Sequence, residues 1–202
     1  YVATQDLMLA VNAAARMPKR SPPTVRWPRP RALPRGANRA MAKTARRANA
    51  AAAIVTAAIA ATDGATLAAV AGRRGSASEL ATLANVPWLD GEEGLVAAAG
   101  RGEFDVAVLC TPNTMHAPVG LRLLNAGVHL LIEKPMTTSY ADAKSLADRA
   151  RANALHAATA HMWRVDQEAT WLRDQVAAGA IGAVYRSRGC GVHTGWGPSG
   201  WF

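Results

Sequence analysis

Cysteine, aromatic residues and long apolar runs are all scarce in this chain of 202 residues. It has two cysteines, Cys110 and Cys190, no apolar run long enough to span a bilayer, and no secretory signal segment. We therefore expect a cytoplasmic protein in which Cys110 is a small core residue without chemistry of its own. Only 5% of the residues are aromatic while 50% are hydrophobic, which favours helices packed on parallel strands over an aromatic-rich β-sandwich.

Acidic residues are nearly absent from the first quarter of the chain. Residues 1–53 carry eleven Lys and Arg but a single acid, Asp6, whereas the remainder is close to neutral. Six prolines interrupt residues 16–47 and deny helices and strands their backbone hydrogen bonds. We therefore expect residues 1–50 to form a disordered basic arm.

Three interpretations of this arm remain open. It could bind nucleic acid or another acidic surface, but it has one aromatic residue, Trp27, and no recognisable DNA-binding motif, which makes nucleic acid an unfavoured partner. It could be a targeting peptide, although its prolines and few serines argue against an amphipathic helix. It could also be non-native sequence that arises from a reading-frame or gene-boundary error ahead of Ala51.

From residue 51 to residue 161 short strands alternate with helices of about ten residues, the pattern of βαβ units on a parallel sheet. The sequence therefore predicts an α/β fold with a Rossmann-like doubly wound parallel sheet whose first strand the pattern does not assign. Helices are expected at 46–61, 76–85 with a serine cap, 91–99, 115–125, 139–153 and 167–178, and strands at 66–71, 105–110, 128–132, 155–161 and 183–189.

Two loops carry candidate functional residues, because ligands of an open parallel sheet bind beyond the carboxyl ends of its strands. The strand at 105–110 is followed by TPNTMH, residues 111–116, and the strand at 128–132 by Glu133-Lys134-Pro135. Pro135 favours an extended Lys134 at this edge, where its ammonium could stabilise a substrate alkoxide and Glu133 could bind a ribose hydroxyl. The alternative is a surface ion pair followed by a turn.

The run TPNTMHAPVGLRLLNAGVHLLIEKPMTTSYADAKSLADRA, followed by AHMWR and an IGAV run, resembles the Gfo/Idh/MocA family of NAD(P)-dependent oxidoreductases. The resemblance covers residues 66–202 and implies hydride transfer between NAD(P) and a sugar, inositol or related polyol, with no metal site. It implies a partial dinucleotide-binding domain at 51–161 and the start of an α+β substrate domain at 162–202. Full-length relatives are expected to be homo-oligomers that take small-molecule substrates and no membrane partner.

The resemblance also assigns roles to individual residues. For the histidines a purely structural role remains open beside cofactor contact. Lys134 would be the catalytic residue beside the nicotinamide, with Glu133 at the nicotinamide ribose. The backbone of Thr111, Pro112 and Asn113 would lie against the cofactor, and His116 would cap the helix above it. His161 and Arg164 would lie at the domain junction.

The segment Ala71-Gly72-Arg73-Arg74 bears on the choice of cofactor. The family has an acid here for the adenosine ribose of NAD, or a small residue with arginine for the 2′-phosphate of NADP. With no acid, the sequence favours NADP bound by Arg73, with NAD still possible, because a guanidinium binds phosphate in a bidentate manner. The alternative is a pair of solvated arginines.

Two departures from the family are expected to matter. Gly36 is the only glycine before residue 64, so the GxGxxG turn that binds pyrophosphate is absent ahead of the first helix. The family's catalytic histidine would lie beyond Phe202, and His193 comes too early to replace it. We therefore expect no measurable turnover from this chain alone.

Overall fold

The computed structural model describes residues 7–13 and 50–189. The chain divides into two compact units, one formed by Thr4–Ala160 and one that contains His161–Phe202. The Pro-rich segment at 16–47, Cys190 and His193 fall outside the described residues, so the expectations for them remain predictions. None of the helices within residues 50–189 combines the length and the hydropathy that crossing a bilayer requires.

A six-stranded sheet forms the centre of the first unit, and its spatial order is β3-β2-β1-β4-β5-β6. This is the strand order of a doubly wound dinucleotide-binding sheet. The strands are β1 (Leu7–Ala13), β2 (Ala65–Gly72), β3 (Trp88–Asp90), β4 (Val106–Leu109), β5 (His129–Ile132) and β6 (Ala157–Thr159).

Helices cover both faces of this sheet. Alternate residues of β4 point to opposite faces, so Ala107 and Leu109 join one buried cluster while Val108 and Cys110 join the other. The first cluster includes residues of α3, α4 and α5, and the second includes residues of α1 and α2. The helices are α1 (Ala50–Ala60), α2 (Ser76–Ala84), α3 (Gly91–Gly100), α4 (Asn113–Asn125) and α5 (Tyr140–Ala152).

The prediction of a parallel sheet is confirmed for the four predicted strands in this unit. β4 pairs in parallel with β5, and β5 with β6. β2 and β4 both run antiparallel to β1, which lies between them, so they run in the same direction. β3 was not predicted; it is only three residues long and pairs in parallel with β2.

β1 corrects the expectation that residues 1–50 contain no packed strand. β1 occupies the central position of the sheet, where a Rossmann fold has its first strand, but it runs in the opposite direction. Its last residue, Ala13, pairs with Ala65 at the amino end of β2. The apolar run LMLAV, residues 7–11, suits a central position that is paired on both sides, and the charge and proline content of the following segment obscured it in the sequence.

Capping explains where two helices begin. The Ser139 side chain accepts a hydrogen bond from the Asp142 N–H ahead of α5 (Tyr140–Ala152), which begins one residue later than the predicted helix at 139–153. The predicted serine cap of the helix at 76–85 is placed differently, because the residue before α2 is Gly75. There the Ser78 hydroxyl accepts from the Gly75 N–H and donates to the Gly75 carbonyl.

The second unit contains a 3₁₀ turn at Met162–Arg164 and helix α6 (Gln167–Ala177), which Asp166 caps through the Ala169 N–H. The strand predicted at 183–189 is wrong, because no strand forms in these residues. Val184 and Tyr185 are exposed, and a segment without a pairing strand has no partner for its backbone hydrogen bonds.

Two histidines meet at the edge of the sheet where the parallel strands begin. The His129 and His156 rings stack with their centroids 5.3 Å apart. The backbone N–H of His156 donates to Nδ1 of the His129 ring at 2.9 Å. Burial lowers the pKa of His129, and the neighbouring His156 lowers it further, while Asp105 acts in the opposite direction. Protonation would also place a hydrogen on Nδ1, where the His156 N–H already donates.

The first prediction concerns stability against pH. A histidine whose pKa is lower in the folded state contributes stability above its unfolded pKa of about 6.5, and loses it as the pH falls toward the folded pKa. We expect the urea midpoint of the chain to fall between pH 7.5 and pH 5.5, and His129→Asn, whose amide oxygen can replace Nδ1 without titrating, to flatten that fall. His161→Asn is the matched control and should keep the wild-type slope. Equal slopes for all three proteins would contradict the assignment to His129.

Candidate functional site

The carboxyl ends of the parallel strands meet at one edge of the sheet. Leu109 at the end of β4 is in register with Ile132 at the end of β5, and Gly72 of β2 is in register with Asp90 of β3. The loops that follow these strands therefore share an edge, which is where an open sheet binds ligands. This edge carries all the predicted site residues except His161 and Arg164, which lie in the second unit.

The loop after β4 offers unused hydrogen-bonding groups. Thr111 is 7% exposed, and its buried Oγ1 has no hydrogen-bond partner among the described residues. Pro112 precedes α4 and has no side chain that can accept a hydrogen bond, so no side-chain cap binds the first N–H groups of this helix. Asn113 and Thr114, at the start of the helix, are exposed. A buried hydroxyl without a partner is costly, so this loop suits a bound polar group.

The loop after β5 fixes the backbone of Lys134. The Glu133 N–H donates to the Leu109 carbonyl at 2.9 Å, which ties this loop to β4. The Lys134 N–H donates to Glu133 Oε2 at 3.0 Å. The Lys134 side chain is exposed, and none of the ion pairs within the described part of the chain includes it. Its ammonium is therefore available to a ligand at this edge.

Cys110 lies between these two loops and is chemically quiet. It is 3% exposed, and burial together with the negative charge of Glu133 raises the pKa of its thiol to about 12. A thiol with this pKa has almost no thiolate at neutral pH, so it is a poor nucleophile.

His116 lies in the first turn of α4 and has no exposed surface. Its Nε2 is 3.0 Å from the Thr111 carbonyl oxygen, and its Nδ1 is 3.0 Å from the Pro135 carbonyl oxygen and 3.2 Å from that of Met136. Both ring nitrogens thus face backbone carbonyls of the protein. The sequence left a helix cap, a cofactor contact and a purely structural role open for His116, and it could not show that this ring contacts two loops.

The loop after β2 presents two exposed arginines, Arg73 and Arg74. The guanidinium carbon of Arg74 lies 5.3 Å from the centroid of the Trp88 ring, a cation–π contact. The Trp88 indole N–H donates to the Gly72 carbonyl at 2.9 Å, which holds the ring beside the loop. The sequence analysis did not identify Trp88, because it did not predict β3; the signal was a large aromatic residue directly ahead of the 91–99 helix.

Among the described residues, this edge has no glycine-rich turn of the GxGxxG type. Because β1 is reversed, its last residue, Ala13, lies at the opposite edge beside the start of β2. The sequence lacks a GxGxxG turn ahead of the first helix, and the described residues correspondingly have no such turn at the carboxyl edge of the sheet. The edge could hold the nicotinamide and adenosine ends of a dinucleotide, and the described residues show no nest for its pyrophosphate.

The remaining predicted residues lie in the second unit. His161 and Arg164 are both exposed, and the Arg164 N–H donates to the His161 carbonyl at 2.9 Å. Their assignment to a cofactor site stays a prediction.

The part of the chain that carries these loops is similar in sequence to a family of known proteins. The model of an oxidoreductase family with an NAD-binding Rossmann fold, Gfo/Idh/MocA, matches residues 41–161. A D-glucoside 3-dehydrogenase of Escherichia coli is 35% identical over 98 residues, and a dTDP-3,4-didehydro-2,6-dideoxy-alpha-D-glucose 3-reductase of Streptomyces violaceoruber is 40% identical over 92. Each match covers 46% of this chain, and 28% and 27% of those proteins respectively.

Another relative is a 4-carboxy-2-hydroxymuconate-6-semialdehyde dehydrogenase of Sphingobium, 30% identical over 84 residues, which are 42% of this chain and 27% of that protein. The chain thus spans little more than a quarter of the length of these relatives. Among solved structures, the aldose-aldose oxidoreductase of Caulobacter crescentus is 22% identical with a TM-score of 0.53, over 57% of this chain and 35% of that one. At this identity the likeness shows the fold alone.

Proposed function

Because the chain belongs to the Gfo/Idh/MocA oxidoreductase family, whose model matches more than half of it, we propose that it acts in hydride transfer between NAD(P) and a sugar or polyol. The observation that carries this proposal is the pairing of the two loops at the carboxyl edge, with Thr111 after β4 and Lys134 after β5. Two relatives named as a D-glucoside dehydrogenase and as a reductase of a dTDP-linked glucose derivative support the substrate class.

The groups at this edge fit the nicotinamide end of the cofactor. The buried Thr111 Oγ1 without a partner can bind a polar group of the nicotinamide or its ribose, and the Glu133 carboxylate can accept from a ribose hydroxyl. Pro112 and Asn113 place their backbone beside these groups at the start of α4. When bound, a nicotinamide accepts or donates the hydride.

Lys134 is the residue we assign to the chemistry. Its ammonium is exposed at the ligand edge, while its backbone is held by Glu133. A positive charge there would stabilise the alkoxide that the substrate hydroxyl becomes when its proton leaves, and from which the hydride then passes to the nicotinamide as the carbonyl forms. A lysine ammonium can also exchange a proton with that oxygen, which makes Lys134 the candidate acid or base.

The β2 loop supports NADP over NAD. Arg73 and Arg74 follow the strand without an acid, and Trp88 holds Arg74 beside Arg73. A guanidinium can donate two hydrogen bonds to a 2′-phosphate, whereas NAD would leave these charges without a phosphate partner.

The second prediction tests this preference. We expect Arg73→Asp to weaken NADPH binding at least about tenfold, the effect of one charge-assisted hydrogen bond of roughly 1.5 to 3 kcal/mol, and to change NADH binding much less. The measurement is titration followed by nicotinamide fluorescence. Arg186→Asp, at an exposed position of the second unit, makes the same change in charge and should leave both affinities unaltered. If Arg73→Asp behaves like this control, Arg73 is a solvated loop residue.

A further inference from the structure

His116 contacts both loops that the proposed function uses. Its Nε2 faces the Thr111 carbonyl in the loop after β4, and its Nδ1 faces the Pro135 and Met136 carbonyls, which lie nineteen and twenty positions further along the chain. All three carbonyls lie beyond the last residues of their strands, Leu109 and Ile132. The imidazole therefore connects the two loops where the sheet ladder between β4 and β5 has ended.

The ring itself is firmly held. His116 is fully buried, as are its helix neighbours Ala117, Val119 and Gly120. A side chain with no exposed surface and with both polar atoms facing carbonyls cannot also bind a ligand in its present position. Direct contact between His116 and a cofactor, one of the roles considered for it, is therefore not the role this geometry favours.

The position of Lys134 depends on this connection. On the amino side of Lys134, the Glu133 N–H is tied to the Leu109 carbonyl at 2.9 Å. On its carboxyl side, the Pro135 carbonyl is tied to His116 at 3.0 Å. The lysine side chain has no ion pair among the described residues, so the backbone on either side sets where its ammonium can reach.

We propose that His116 is a positioning residue, which fixes Lys134 relative to the Thr111 loop without touching cofactor or substrate. The proposal rests on the proposed function for its purpose, but the connection it describes exists in the free chain. An imidazole suits the position because its two nitrogens lie at separate points of a rigid ring: the neutral ring donates to one loop through its single N–H, and the imidazolium form donates to both. A hydrocarbon side chain of similar size would fill the space and leave the carbonyls of both loops without this partner.

Hydrogen exchange of the complete chain without ligand tests the connection. We expect His116→Leu to speed exchange of the Glu133 and Lys134 amides, which donate to the Leu109 carbonyl and to Glu133 Oε2, at least about tenfold, while the amides of α5 exchange as in the wild type, because the loss is local. His116→Asn, whose amide nitrogen takes the position of Nδ1 and can donate to the Pro135 carbonyl, should recover most of the protection. Unchanged exchange at Glu133 and Lys134, or an equal rise throughout α5, would overturn the proposal. If the leucine variant does not fold, His116→Met, which also has no N–H or O–H to donate, takes its place with the same expected and contrary results.

A second readout follows the lysine directly. The chain has four lysines, so reductive methylation with ¹³C gives few signals, and Lys134→Arg assigns the relevant one. We expect His116→Leu to move the Lys134 signal toward that of an unstructured lysine, while the signal of Lys144, which pairs with Asp148 on α5, stays in place. If the Lys134 signal has the same position in the wild type and in His116→Leu, the proposal is overturned. Failure of the wild-type chain to bind a dinucleotide would reject the proposed function and leave both of these results standing.

Discussion

Lys134→Ala is expected to lower kcat by about a hundredfold or more while nucleotide affinity stays within a few-fold. The ammonium acts on a charge that develops in the transition state, so its removal affects the chemical step more than ground-state binding. The measurement uses a chimera in which residues 65–202 replace the matching segment of a full-length relative such as the E. coli D-glucoside 3-dehydrogenase. A full-length host is needed because the match covers only 28% of that relative.

Lys144→Ala is the matched control for this experiment. Lys144 is an exposed lysine on α5 that pairs with Asp148, and its removal should leave kcat unchanged. An active chimera that keeps its kcat after Lys134→Ala would remove Lys134 from the chemistry.

Gly120→Val is expected to destabilise the first unit by about 3 kcal/mol, the upper end of the usual range for overpacking. A Cβ at Gly120 would lie 2.9 Å from Leu146 Cδ2 and 3.2 Å from Leu130 Cδ1. Both leucines are at most 3% exposed, so neither side chain can swing into solvent to make room. The glycine allows α4 to approach both α5 and β5, and urea unfolding measures what that approach contributes.

Gly100→Val is the control for Gly120→Val. Gly100 ends α3, and a Cβ there would have no heavy atom within 4 Å apart from its chain neighbours and its own helix backbone. We expect a change below about 0.5 kcal/mol for this exposed position. If the two valine variants lose the same stability, the close packing at Gly120 is not what sets the cost.

The presence and the common direction of the four predicted strands could be deduced from the sequence because each depends on a local pattern. The apolar runs of β4 and β5 are short and lie between helices of regular period, which in a parallel sheet fixes their direction. β1 could not be found this way, since its place between β2 and β4 depends on partners more than fifty residues away along the chain. The prediction of a strand at 183–189 failed for the converse reason. Its local pattern suits a strand, but no strand pairs with it among the described residues.

The same distinction applies to the candidate site. Lys134 and Thr111 could be named as candidates because each lies two residues after the end of a strand, and the parallel edge brings such positions together. The bridging role of His116 depends on carbonyls nineteen and twenty positions away, and the stacking of Arg74 depends on Trp88 in a strand that the sequence did not predict. Contacts of this kind are determined by packing between elements, which a single sequence does not display.

Titration of NADPH and NADH against the wild-type chain, followed by nicotinamide fluorescence, tests the central claim most directly. We expect saturable binding with a Kd below about 1 mM, which is the upper end of the usual range of KM values for enzymes. NADPH should bind more tightly than NADH. Absence of saturable binding by either dinucleotide would contradict the claim that the edge formed by the Thr111 and Lys134 loops is a nicotinamide site.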